Sequence, residues 1–268
     1  MSISKEDLAD LKKSYRLLEN PGIAVKLTNA LGKPIEKSLD FLPGKWSSAV
    51  RTVTKIAIAK ALDFAILSID SESTSDSSDK MHKFITAITG AAGGFFGTPA
   101  LVIELPVSTT VMLRSIADIA QSEGENLKSI ESKLACVEVL ALGGRSKADD
   151  AAETGYYAVR SALAKTLSEA SHYITERGVV EKGAPALVRL INSVASRFSI
   201  VVSEKVSAQA IPLIGAIGGA LINVIFISHF QDMARGHFIV RRLERSYGKD
   251  IVRQEYEKLR NNVFSIPL

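Results

Sequence analysis

Residues 211 to 230 read IPLIGAIGGALINVIFISHF and carry no formally charged side chain. At a rise of 1.5 Å per residue, a helix of that length spans about 30 Å, the thickness of a bilayer's hydrocarbon. Such a segment must be sheathed either by protein or by lipid, and this choice limits the fold more than any other feature. Asn223 and His229 are its polar members, and His229 lies near the end, where an interface could receive it. A second stretch, TGAAGGFFGTPALVIELP at 89–106, is nearly as apolar, with Glu104 as its single charge and prolines at 99 and 106.

The glycines in these stretches are regularly spaced. Gly90 and Gly94, Gly93 and Gly97, and Gly215 and Gly219 are pairs four residues apart. That interval puts the missing side chains on one helical face, where another backbone can come close. Gly90, Gly94, Gly215, Gly219 and Asn223 are therefore the expected contact residues. A phosphate-binding loop fits poorly: the first run lacks GxGxxG, no strand precedes it, and no GxxxxGK[ST] occurs. No nucleotide or other cofactor is expected. GAAGG at 90–94 and GAIGG at 215–219 also match as a weak repeat, each preceding an apolar stretch and an amphipathic helix ending in glycine. Pseudo-symmetric halves and shared composition both explain it.

The remaining chain reads as helices. Ser4 caps the first, with Leu8, Leu11, Tyr15 and Leu18 on one face and Asn20-Pro21-Gly22 as its end. A second piece covers IAVKLTNALGKPIEKSL and turns at Leu42-Pro43-Gly44. A long helix covers Ser47 to Ile69, with Arg51, Lys55 and Lys60 favouring a buried element with a basic edge over a bilayer span. DSESTSDSSDK, which holds no apolar residue, is the clearest loop. Pro99 and Pro106 predict two or three short helical pieces between Phe84 and Leu113, the last starting near Pro106 and ending at Gly124. SIESKLACVEVLAL is a helix closed by Gly143-Gly144, and helical patterns continue to a polar amphipathic tail after residue 230. No alternating pattern bounded by hairpin signals is present. The fold class is all-α: one multi-helix domain, with N-terminal helices over 1–69, a flexible acidic loop over 70–80 and a helical core over 81–268.

Bulk properties narrow the function classes. Hydrophobic residues make up 46% of the chain, high for a soluble protein, and mean hydropathy is +0.15, low for a polytopic one. The net charge of +4 comes from dispersed lysines and arginines, so nucleic-acid binding is not expected. A basic balance does suit anionic headgroups, and Arg241 and Arg242 beside Phe238 are the expected lipid contacts. Cys136, the single cysteine, lies in LACVEVLAL and reads as a buried structural thiol. MSISKEDLADLKK lacks a signal-peptide pattern, so the expected location is the cytoplasm.

Catalytic motifs are missing. GxSxG, HExxH and CxxC do not occur, and no metal site is expected. Glu104, in LVIELP, should have a raised pKa unless it is paired, and a helix cap or a buried arginine would serve. Arg114 and Asp118 stand four apart on one helical face, while His229 and Asp232 are three apart and close enough to hydrogen-bond. An enzyme built on this chain would gather Glu104, Asp118, His229 and Asp232 between the two halves.

TGAAGGFFGTPALVIELPVSTTVMLRSIADIAQSEG and SRFSIVVSEKVSAQAIPLIGAIGGALINVIFISHFQDMARGHFIVRRLERSYG, in that order, carry a family likeness. The chain resembles the bacterial EcsC family over nearly its whole length, which makes 81–268 an EcsC-like core. That family takes its name from a protein of an ABC-transporter operon. The resemblance implies a cytoplasm-facing protein peripheral on the inner face of the cytoplasmic membrane, with lipid or a membrane protein such as an ABC transporter as partner. A proteolytic or hydrolytic activity suggested for the family brings no motif that transfers to these residues. The expected function is non-enzymatic membrane association, with a hydrolase as the alternative.

Overall fold

The computed structural model describes residues 3–19, 22–31, 44–69, 98–144, 155–178, 183–209 and 212–264. Among them the regular structure is helical throughout: α1 (Lys5–Leu18), α2 (Ile23–Leu31), α3 (Gly44–Ser68), α4 (Thr98–Ser122), α5 (Ile130–Leu142), α6 (Gly155–Arg177), α7 (Pro185–Gln209), α8 (Pro212–Tyr247) and α9 (Lys249–Phe264). Gly90 and Gly94, the 70–80 loop and the turn at 42–43 lie outside the described residues.

Local chemistry explains several boundaries. The Ser4 side chain accepts a hydrogen bond from the Asp7 N–H, satisfying a donor that the start of α1 would otherwise leave open. Ser129 does the same for α5 through the Ser132 N–H. Gly248, with φ of 89°, breaks α8 from α9 in the left-handed region that a side chain rarely enters. The long helix expected over Ser47–Ile69 is α3, beginning at Gly44.

Two expectations are corrected. The segment around the prolines is one helix, α4, rather than several short pieces. Pro99 takes the start that Pro106 was expected to take, where a missing N–H costs nothing. Pro106 lies inside, between buried Leu105 and buried Ser108 and Thr109. There the hydroxyls of Ser108 and Thr109 donate to the Leu105 carbonyl, at 3.1 and 2.7 Å, and Thr110 donates to that of Pro106 at 2.9 Å. Burial of Leu105, Pro106, Ser108 and Thr109, whose hydroxyls are satisfied by these carbonyls, thus outweighs a propensity that would end the helix. The second correction concerns the uncharged run and the start of the polar tail. They form one 36-residue helix, α8, because no breaker stands between Phe230 and Gly248 except Gly236.

Gly236 is there for packing. A Cβ on it would lie 2.6 Å from Leu18 Cγ, so the glycine lets α1 press against α8. Gly143 and Gly144, after α5, do the same more severely: added carbons would meet the His229 ring at 2.7 Å and the Arg197 carbonyl oxygen at 2.2 Å. α7 and α8 are the central helices. α7 packs on α2, α3, α5, α6 and α8, and α8 also receives α1, α2, α4, α5 and α9. One connected core takes residues from all nine described helices, from Leu11 and Leu27 to Val252 and Tyr256. Cys136 is fully buried in it, as expected.

Candidate functional site

Two contacts fix how α4 and α8 lie together. The Gln231 side chain donates to Ser115 Oγ at 2.9 Å, and Arg241 grips Glu125, just past α4, at 2.9 and 3.1 Å. The partners advance by ten residues on both sides, so the helices run parallel. Val107 and Val224 are 45% and 57% exposed, and Val102 and Leu221, one to two turns away, are 47% and 43% exposed. Residues 98–113 hold one formally charged side chain, Glu104, and 212–231 hold none. Among the described residues, these stretches of α4 and α8 thus carry four half-exposed aliphatic side chains and the single charge of Glu104.

Glu104 is closed into a pair. Its carboxylate accepts from Lys205 Nζ of α7 at 2.7 Å; the lysine side chain is only 1% exposed and the glutamate 22%. The ammonium also stands 4.7 Å from the centre of the Phe226 ring, an attractive position over a π face. The pairing expected for Glu104 is thus made, by a lysine of the SEKVS segment rather than an arginine.

The other sequence candidates have separate partners. Asp118 is exposed, and desolvation by its neighbours raises its carboxyl pKa against the opposing charge of Arg114. His229 is buried and donates from Nε2 to the Gly143 carbonyl at 3.2 Å. Asp232 turns instead to Lys26 of α2, at 3.1 Å, and to Arg235 at 3.4 Å. The His229–Asp232 bond anticipated from spacing gives way to these two contacts. Asn223 is half-buried on α8, and Gly215 and Gly219 lie in the same helix's first turns.

Arg241 and Arg242 face carboxylates of this chain. Arg241 is bidentate to Glu125 and 3.4 Å from Glu131. Arg242 reaches Asp10 at 2.5 Å and Glu123 at 2.9 Å, and Arg245 also binds Glu125. Burial pushes the Glu125 carboxyl up, but hydrogen bonds from Arg241 and Ser132, with the charges of Arg241 and Arg245, bring it below its ordinary range. The Tyr247 hydroxyl donates to Asp7 at 2.6 Å, so α1 is bound to the far half of α8.

A buried polar cluster escaped the sequence. Tyr156 Oη and His237 Nδ1 are 3.0 Å apart, and His237 Nε2 is 3.8 Å from Glu138 Oε2. Arg160 and Glu244 form a bidentate pair at 2.7 and 3.0 Å beside it, and Tyr256 donates to Glu19 at 3.2 Å. Burial lowers the His237 pKa well below its ordinary value, assisted by the charges of Arg160 and Arg241, and raises that of Glu138. The spacing of these residues, from 19 to 256, left no local motif to find. With His237 fully buried and Tyr156 3% exposed, the cluster locks α1, α5, α6, α8 and α9 together rather than presenting a nucleophile to solvent.

One described helix, Pro185–Gln209, is long and apolar enough to cross a membrane by length and composition. It is α7, whose buried positions include Phe198 and the paired Lys205, and which touches five other helices. A sequence model described as the EcsC protein family matches residues 9–243. No curated protein and no solved structure matches the chain.

Proposed function

The chain belongs to the EcsC protein family, and on that premise we propose that it is a non-enzymatic, membrane-associated helical protein whose apolar stretches of α4 and α8 meet lipid or a membrane-embedded partner. Its place is the cytoplasmic side of the membrane, and an ABC transporter is the partner that family analogy offers. The observation that carries this reading is the half-exposed aliphatic set Val102, Val107, Leu221 and Val224 on stretches of α4 and α8 whose single formal charge, Glu104, is paired with Lys205. Elsewhere along α8 the charges are matched within the chain, which points the apolar end, rather than the arginine face, towards the membrane. Glu104, Asp118, His229 and Asp232 each have their own partner or exposure, an arrangement that lends the hydrolase reading no comparable support.

The test is fractionation of cells producing the full chain, followed by flotation of the purified protein with native membrane vesicles. Recovery with membranes, reduced by Val224→Asp and Val107→Asp, is the expected result. A chain that stays wholly in the soluble fraction and ignores native vesicles would overturn the reading.

A further inference from the structure

We infer that buried His237 is a proton-operated catch for helix α9: while its imidazole is neutral the catch is shut, and uptake of a proton lets α9 and the start of α6 part from α8. The direction of one hydrogen bond carries this. Among the described residues the Tyr156 hydroxyl has a single partner, His237 Nδ1 at 3.0 Å, and both side chains are buried. A buried O–H without an acceptor costs about 1–3 kcal/mol, so Tyr156 donates and Nδ1 accepts. The ring proton then sits on Nε2, which has no hydrogen-bond partner among the described residues; Glu138 Oε2 stands 3.8 Å off, too far for one. A second ring proton occupies Nδ1 and takes away the acceptor of Tyr156. α9 is the part that this loss frees first. It packs on α8 and α1, its buried side chains among the described residues are Val252 and Tyr256, and the Tyr256 ring leans on Tyr156 and Tyr157 at 5.6 and 5.2 Å.

The surroundings oppose the second proton in the shut state. Burial keeps the imidazole neutral, assisted by the charges of Arg160 on α6 and Arg241 on α8. Each of these arginines is bidentate to a carboxylate, Glu244 and Glu125 respectively. Glu138 of α5 could offset them, but burial pushes that carboxyl towards its neutral form. Glu19, at the end of α1, accepts from the Tyr156 N–H and the Tyr256 hydroxyl, and α9 adds Arg253 over the Tyr157 ring at 5.4 Å. The charges of α2, α4 and α7 are matched further back along α8, as Lys26 with Asp232 and as Glu104 with Lys205 beside Phe226. Parting α9 and α6 from α8 returns His237 to water and to an ordinary pKa near 6.5, whereas the shut state takes up its proton only well below that value. Opening therefore grows by up to about tenfold per pH unit below 6.5, and the catch is shut at neutral pH.

Native-state hydrogen exchange of the full chain, at about pH 7.5 and about pH 5.5 in low and rising urea, tests the catch. After correction for intrinsic exchange rates, amides of α9 and of the start of α6 are expected to open about tenfold more at the lower pH. Their opening should depend on urea more weakly than that of α3 and α7 amides, because a local opening exposes little surface. His237→Asn keeps an acceptor for Tyr156 at every pH and should abolish the rise. Tyr156→Phe should raise the opening of α9 already at neutral pH. Nitrogen-15 spectra of the histidines of the parent chain, with the His237 signals assigned by their loss in His237→Asn, are expected to show the Nε2–H tautomer at neutral pH. An Nδ1–H tautomer would overturn the inference even if the variants fold poorly. Equal opening of α9 at the two pH values would do so as well. So would one common urea dependence for every helix, which would mean that acid acts on global unfolding alone.

Discussion

Gly144 and Gly236 both admit a neighbouring helix, but their neighbours differ in how far they can yield. A Cβ at 144 would overlap the Arg197 carbonyl oxygen at 2.2 Å, a backbone atom in the middle of α7. At 236 the obstacle is a side chain, Leu18, whose Cγ would lie 2.6 Å away. Overpacking commonly costs about 1–3 kcal/mol, so Gly144→Ala should fall at or above the top of that range and Gly236→Ala near its bottom. Urea unfolding of both variants reads the order, and equal losses would mean that α7 shifts as easily as a leucine side chain. His237 and Glu138 give opposite pH signs. The folded pKa of His237 lies below the ordinary 6.5, so unfolded chains take up the proton first and stability falls as pH drops below that value. Glu138, whose folded pKa is raised, penalises the fold at neutral pH and ceases to do so as pH falls towards its ordinary 4.5. His237→Asn keeps an acceptor for Tyr156 and removes the first contribution. Below pH 6.5 the parent should therefore lose stability relative to this variant by about 1.4 kcal/mol per pH unit. Urea titrations at successive pH values would show parallel curves if His237 were already charged in the fold.

At the scale of elements, α4 runs on through Pro106 and closes Glu104 into an ion pair with Lys205 of α7. Glu104→Gln would leave Lys205 buried without its carboxylate. Breaking a buried pair costs about 3–5 kcal/mol, and the partial exposure of Glu104 discounts that towards the lower figure. Glu104→Gln combined with Lys205→Met should recover most of the loss, and a double-mutant cycle measures the coupling; additive losses would show that the two side chains act independently. The sequence made the helical class and several ends readable because those signals are local. The Ser4 cap, the Gly143-Gly144 stop and the span of α3 each depend on residues within one turn. Pro106 misled because what keeps it helical is tertiary, the burial of Leu105, Ser108 and Thr109 against neighbouring helices. Of the expected contact residues, Gly90 and Gly94 lie outside the described residues, and which aliphatic side chains of α4 and α8 stay exposed was not legible because it depends on tertiary contacts such as Ser115–Gln231 and Glu125–Arg241, pairs 116 residues apart.

Across the whole molecule, α8 runs from a half without charge to a half rich in it, and the two halves perform different tasks. Residues 212–231 supply the apolar end, while Asp232, Arg241, Arg242, Glu244 and Arg245 bind α1, α2, α6 and the α4–α5 link. A chain of 268 residues is large enough that separable unfolding steps are the usual expectation. Here one connected core takes residues from every described helix, and a single helix runs through both halves. The chain should consequently unfold in one transition. Near-UV circular dichroism would follow the cluster of Tyr15, Tyr156, Tyr157 and Tyr256, which packs ring to ring at 5.0–5.6 Å in the charged half. Far-UV circular dichroism would follow all the helices, and coincident curves are the test of a single transition. Tyrosine signals that vanish while most helicity persists would show that the apolar end stands by itself, and that the continuity of α8 is not what unites the molecule.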